Sequence, residues 1–138
     1  MPDKIRILCV DNEVNILNTI RRQLCDMDVT VYSALSAEDG LQFMRQTDPV
    51  HVVISDYRMT GMNGIEFLTS VLREWPATTR ILLSGYADVD SVQEALAQGQ
   101  LFALLHKPWK AAELIKTITE AIALSHEKQH ILFPPIAE

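Results

Sequence analysis

The sequence predicts an α/β fold in which a parallel five-stranded sheet carries helices on both faces, and two observations predict it. Five short apolar runs alternate with five longer segments of helical periodicity, and right-handed crossovers convert such β-α alternation into a parallel sheet with helices on either side. Runs such as Val52-Val53-Ile54 and Ile81-Leu82-Leu83 are apolar at every position rather than at alternate ones, the pattern of strands covered on both faces. At 138 residues, 48% of them hydrophobic, the chain can bury the core of one domain and is too short to argue for two.

The first strand is predicted at Ile5–Val10 and is followed by a helical stripe of Ile16, Leu17, Ile20 and Leu24. A second strand is predicted at Val29–Ala34. Ser36-Ala37-Glu38-Asp39 then reads as a capping box with Asp in the third position, opening a helix that buries Leu41 and Met44. Residues 51–55 form the third strand, and Ile65, Leu68 and Leu72 mark the helix after it. Residues 80–84 form the fourth, with Asp88 or Ser91 starting a helix through Val92 and Leu96. Residues 101–105 complete the sheet before a last helix on Leu114, Ile118 and Ile122. After about Ser125 the apolar period fades into His126-Glu127-Lys128-Gln129-His130 and then Pro134-Pro135. Residues 1–125 are therefore read as the domain, and 126–138 as a helix end with a tail or the start of a linker.

Composition narrows the function. A net charge of -6 and a pI near 5.1 leave no electrostatic footprint for a phosphate backbone, so direct nucleic-acid binding is not expected. No apolar run approaches the ~18 residues of a membrane span, and Met-Pro-Asp-Lys lacks the charged and apolar regions of a secretory signal. The expected address is cytoplasmic. Cys9 and Cys25 have neither metal-ligand spacing nor disulfide-scaffold density, so both are read as reduced thiols.

In open α/β sheets ligands bind outside the carboxyl ends of the strands, so the residues that close each run carry the chemistry. They are Asp11, Asp56, Ser84 and Lys107, with Asn12 and Glu13 beside the first. Singly, each has a plain structural role: an Asp at a strand end caps a helix, and a Lys before Pro sits in a solvated turn. Together, two carboxylates, a hydroxyl and an ammonium suit an oxygen-ligated Mg²⁺ and a phosphoryl group.

The segments "VDNE", "ISDYRMTGMNG", "LLSGYAD" and "HKPW", in that order at successive strand ends, resemble the response-regulator receiver domain of two-component signalling. The resemblance covers roughly residues 4 to 125. It implies a flavodoxin-like (βα)5 three-layer sandwich with sheet order 2-1-3-4-5. It implies Asp56 as phosphoacceptor for a sensor histidine kinase or a phosphotransfer protein, and Mg²⁺ (or Mn²⁺) held by Asp11, Asp56 and the backbone carbonyl of Arg58. Lys107 would pair with Asp56 and then with the phosphoryl group, and Ser84 would hydrogen-bond it on activation. The Lys107-Pro108 bond would be cis. The signal would leave through the fourth helix, last strand and fifth helix, to an output domain absent from this chain or to a second copy in a homodimer. The "GYAD" and "KPW" segments also resemble receivers attached to cyclic-dinucleotide enzymes or embedded in hybrid kinases.

Two departures from the pattern matter, and a third is minor. Asn12 stands where the family carries a second acidic residue, and losing a unit charge at ~4 Å from a cation costs on the order of a few kcal/mol at an effective dielectric near 20. Metal affinity should be weakened, with Asn12 at best a weak ligand or instead the cap of the first helix. Leu104 stands where the switch residue is commonly Tyr or Phe, and Thr60 replaces a usual proline. A pseudo-receiver, an interaction module that works without phosphorylation, is the alternative that Asn12 and Leu104 support. An aspartyl-phosphate hydrolase of the haloacid-dehalogenase type is disfavoured, because two residues after Asp11 it needs Asp and this chain has Glu13. A turnover enzyme is therefore not expected. Gly61 and Gly64 are read as turn formers, Trp75 and Trp109 as core or rim anchors, and His106 as a solvent-exposed strand end.

Overall fold

Strand pairing is parallel throughout and runs β2-β1-β3-β4-β5 in a computed structural model that describes residues 4–85, 89–99 and 101–132. The elements alternate without exception among the described residues: β1 (Ile5–Val10), α1 (Val14–Gln23), β2 (Val29–Ala34), α2 (Ala37–Gln46), β3 (Val52–Asp56), α3 (Gly64–Glu74), β4 (Thr79–Ser84), α4 (Val89–Ala97), β5 (Ala103–His106) and α5 (Ala111–Leu132). This is the flavodoxin-like three-layer arrangement in the order anticipated above.

The two sides of the sheet hold separate cores, because successive strand side chains point to opposite faces. Ile7 and Cys9 of β1 pack with Leu17 and Ile20 of α1 and with Leu114, Ile118 and Ala121 of α5. Leu8 and Val10 pack with Leu41 and Met44 of α2, with Phe67, Leu68 and Val71 of α3, and with Val92 and Ala95 of α4. Each fully buried Leu, Ile or Phe contributes about 1.5–3 kcal/mol relative to an exposed one. Strand β3 is buried at every residue, which is why its sequence shows no alternation. Edge strand β2 is buried only at Ala34. Cys9 is enclosed in the first core, where burial pushes its thiol up to about 12 and keeps it protonated.

Several boundaries move from their predicted places. The third and fifth strands end one residue later, at Asp56 and His106, because ladder pairing rather than apolarity sets a strand's end: Asp56 pairs with Leu83 and His106 with Ser84. Helix α3 buries Phe67, Leu68 and Val71, a stripe rotated from the predicted Ile65, Leu68 and Leu72. Ser91 lies inside α4 rather than at its start, and Asp88 lies outside the described residues. Ser36 does cap α2, accepting from the Asp39 N–H at 3.1 Å. Helix α5 continues past Ser125 to Leu132. Polar side chains at 126–130 remove the apolar period there without removing helix propensity, so periodicity alone hid the last turns.

The connection from β3 to α3 runs close against the site. Gly61 has φ +84°, a left-handed conformation that side chains disfavour. Gly64 donates its N–H to Tyr57 O at 2.8 Å, and a Cβ there would overlap the backbone carbonyl of Asp56. Asn63 and Glu66 form a reciprocal capping box that starts α3. Gly64→Ala should therefore destabilise the fold by about 2 kcal/mol or more, lowering Tm by roughly 5–10 °C in a thermal melt. An unchanged Tm would show that the helix slides away from Asp56 at no cost.

Candidate functional site

Backbone ladder bonds, extended past the strand ends, hold the four predicted site residues at one edge of the sheet. Asp11 N–H donates to Ala34 O at 3.1 Å, Tyr57 N–H, next to Asp56, to Leu83 O at 2.9 Å, and Lys107 N–H to Ser84 O at 2.9 Å. The crossovers thus bring residues distant in sequence to the carboxyl ends of adjacent strands, where α/β sheets place their ligands. The Lys107-Pro108 bond is cis, as the resemblance implied.

The Lys107 ammonium lies 2.8 Å from Asp56 Oδ1 and 3.6 Å from Asp11 Oδ2. Asp11 is fully buried and Asp56 is 5% exposed, so two carboxylates share one cation in a largely dry setting. Asp11 Oδ1 accepts from the Glu13 N–H at 2.8 Å. Its Oδ2 is buried without a hydrogen-bond partner among the described residues. Burial, joined by the Asp56 charge, holds the Asp11 carboxyl above the usual carboxylate range despite the Glu13 N–H and Lys107. Burial works against the Lys107 charge, but its hydrogen bond to Asp56 and the surrounding carboxylates outweigh that and raise its pKa.

Ser84 is buried and its hydroxyl donates to Gly85 O at 3.0 Å. Arg58 is exposed in the loop after β3. Leu104 packs against the core under α2, α3 and α4 and, with Ser84, Val92 and Leu96, lines an apolar cavity of about 430 Å³. Asn12 is exposed and does not cap α1: the N-cap is Glu13, which makes no side-chain capping bond. The one-residue offset arises because Asp11 takes the Glu13 N–H and turns the chain before the helix begins. His106 is exposed. Trp75 and Trp109 are partly buried against the two cores, as their anchor role requires.

Among the described residues no three His, Cys, Asp or Glu side chains cluster to hold a metal by themselves. A hard cation that keeps most of its water needs only one or two carboxylates. The orphaned Asp11 Oδ2, facing Asp56 across Lys107, is a donor set of that kind, so the residues fit an oxygen-ligated divalent ion. Sequence reasoning missed three supports. Glu38 of α2 reaches the loop below the site, accepting from Met62 N–H at 3.5 Å. The Asn63-x-x-Glu66 box was legible as a motif. Gln23, which accepts from the Trp109 indole, carried no local signal, because its partner lies 86 positions away.

The family described as response regulator receiver domain matches residues 7–119. The chain is 33% identical, over 88% of its length, to the hydrogenase transcriptional regulatory protein HoxA of Cupriavidus necator, of which it covers 25%. It thus spans about a quarter of the length of such curated relatives. Among solved structures it resembles a response regulator receiver domain protein from Clostridium thermocellum (TM-score 0.83, 30% identity, 89% of this chain and 98% of that one). It also resembles the signal receiver domain of an HD domain-containing protein from Pseudomonas fluorescens (TM-score 0.87, 29% identity, 94% and 95%). Among the described residues no helix is long and apolar enough to cross a membrane.

A carboxyl whose pKa is raised on folding favours the folded state below its unfolded pKa and opposes it as pH rises through the folded value. Asp11 therefore costs the cation-free protein stability at neutral pH. Asp11→Asn, which keeps an acceptor for Glu13 N–H, should raise Tm by a few degrees at pH 7 in chelator, with the gain shrinking as pH falls through the raised folded pKa and gone below the unfolded value of about 4. Equal melting temperatures at pH 7 would mean that Asp11 carries no strain.

Proposed function

The chain belongs to the response regulator receiver domain family of two-component signalling, and from that premise we propose that Asp56 accepts a phosphoryl group from a phosphohistidine of a sensor histidine kinase or phosphotransfer protein. The observation that carries this is the Lys107 ammonium at 2.8 Å from Asp56, with an Asp11 oxygen beside it that makes no hydrogen bond and lies 3.6 Å from the same ammonium. A carboxylate oxygen of Asp56 forms the new P–O bond as the P–N bond to the donor imidazole breaks, and the imidazole leaves with its electron pair and takes a proton. Lys107 pairs with Asp56 before attack and then moves to a phosphoryl oxygen. Asp11, Asp56 and the Arg58 carbonyl would hold Mg²⁺ or Mn²⁺, with Asn12 a weak neutral ligand at most. When bound, the ion neutralises charge on the phosphoryl oxygens.

The readout starts at Ser84, whose hydroxyl would leave Gly85 O for a phosphoryl oxygen and bias the α4-β5-α5 face, toward an output domain or a second copy of the chain. Leu104 offers neither ring nor hydroxyl to follow it. The pseudo-receiver reading rests on that leucine and on the uncharged Asn12, and Mg²⁺-dependent binding of beryllofluoride separates the two: a phosphorylatable receiver binds it and a pseudo-receiver does not.

Asp56→Asn should abolish labelling by acetyl phosphate in the presence of Mg²⁺, whereas Ser84→Ala should retain much of it, because the hydroxyl reads the bond and does not form it. Normal labelling of Asp56→Asn would reassign the phosphoacceptor.

Asn12→Asp should tighten Mg²⁺ binding roughly ten- to a hundredfold, equivalent to about 1.4–3 kcal/mol. The gain stays below the bare Coulomb figure, since a third carboxylate must be kept ionised beside Asp11 and Asp56. Trp fluorescence during a Mg²⁺ titration reads this, and equal affinities would show that position 12 does not face the ion.

A further inference from the structure

The loop that delivers Lys107 is not packed solidly against its neighbour. Between it and α1 lies a largely apolar cleft of about 300 Å³, lined by Ile16, Thr19, Gln23, Lys107, Pro108 and Trp109. Across this space the Trp109 indole donates to Gln23 Oε1 at 2.8 Å. An indole N–H can only donate, so the Gln23 carboxamide must present its oxygen, and the geometry of the pair is set from both ends. Gln23 is the last residue of α1, half-buried, and Trp109 follows Lys107 by two residues on the way to α5.

We infer that Gln23 is a positioning residue for Lys107: through the Trp109 indole it fixes the β5-α5 loop on α1 and so holds the ammonium at Asp56. A lysine has four rotatable bonds whose freedom opposes a fixed reach, and a displacement of ~1 Å in a reacting array costs up to about a hundredfold in rate. The loop's backbone is fixed on one side by Lys107 N–H on Ser84 O. On the α1 side, where Trp109 is only partly buried against the core beside the cleft, the indole–carboxamide bond supplies the second anchor. Two anchors on opposite sides define where the side chain starts, and its reach to Asp56 follows. The role in phosphorylation rests on the function proposed above, whereas the placement of the ammonium does not.

The test uses the full chain with Gln23→Leu, Trp109→Phe, the double variant and Gln23→Glu, which restores an acceptor oxygen. Labelling by acetyl phosphate at saturating Mg²⁺ should slow roughly three- to tenfold in each of the first two. The double variant should be no slower than either single, the sign of one shared interaction, and Gln23→Glu should return to within about twofold of the wild type. Independently, the wild type should show an exchange-protected ¹⁵Nζ signal for Lys107 by NMR, lost in Gln23→Leu and Trp109→Phe and kept in Gln23→Glu. A wild-type chain that takes no label, but whose Lys107 signal still depends on Gln23, would sink the phosphoacceptor reading and leave the positioning role standing. The inference is overturned by an unprotected Lys107 in the wild type, by a signal and labelling rate unchanged in Gln23→Leu, or by multiplying effects in the double variant. Should Gln23→Leu lose its fold, Trp109→Phe reads the same bond, because it keeps a ring in place and removes only the donor.

Discussion

The site depends on one constraint: two carboxylates, Asp11 and Asp56, are held side by side at the buried carboxyl ends of the neighbouring strands β1 and β3 by strand pairing, with one ammonium paired to both. Left to themselves, like charges in a low dielectric would separate or one would protonate. The ladder bonds at Asp11, Tyr57 and Lys107 prevent separation, since moving either carboxylate would break a backbone hydrogen bond and disturb a strand packed on both faces. Burial first, and the Asp56 charge after it, raise the Asp11 pKa. Strain of this kind persists only where the surrounding fold over-determines it, and two cores meeting at the sheet supply that rigidity.

The same constraint explains details that look unrelated. Gly64 must lack a side chain because α3 starts hard against the Asp56 carbonyl, and the Asn63–Glu66 box fixes the angle at which it leaves. Glu38 braces the loop from α2, and Trp109 braces the opposite loop on α1. Each support acts on backbone that carries a charged group.

Most of the architecture was legible in the sequence because two periods, one for strands buried on both faces and one for amphipathic helices, separate cleanly along this chain. The strand-end residues Asp11, Asp56, Ser84 and Lys107 were legible for the same reason, since topology places strand ends together whatever their separation. What escaped was of two kinds. Boundaries such as Asp56 in β3 and the turns of α5 beyond Ser125 are set by hydrogen bonding and propensity, which hydrophobic pattern does not report. Long-range polar pairs such as Gln23 with Trp109 leave no local trace at all, because either residue alone is an ordinary helix end or loop anchor. The capping role considered for Asn12 beside weak metal ligation belongs by position to Glu13, an offset of one residue that comes from the turn made by Asp11.

Asn12 gains a physical meaning from the strain at Asp11. A third carboxylate there would strengthen the hold on a divalent ion, but in the ion's absence it would add to a repulsion that one ammonium already balances incompletely. An amide at position 12 lowers both quantities together: the cation-free site is easier to keep folded, and the charged site is less tightly closed by metal. Because the two effects share one cause, they cannot be tuned separately by changing this residue. A chain with Asn12 therefore has a smaller gap in stability between its metal-free and metal-bound forms than a chain with three acids, and less of any conformational bias comes from the ion. Under the proposed function, more of it would come from the phosphoryl group itself, through Lys107 and Ser84. The placement of Lys107 then matters more to this chain than to one with a full acidic set, which is where the anchor on α1 has its effect.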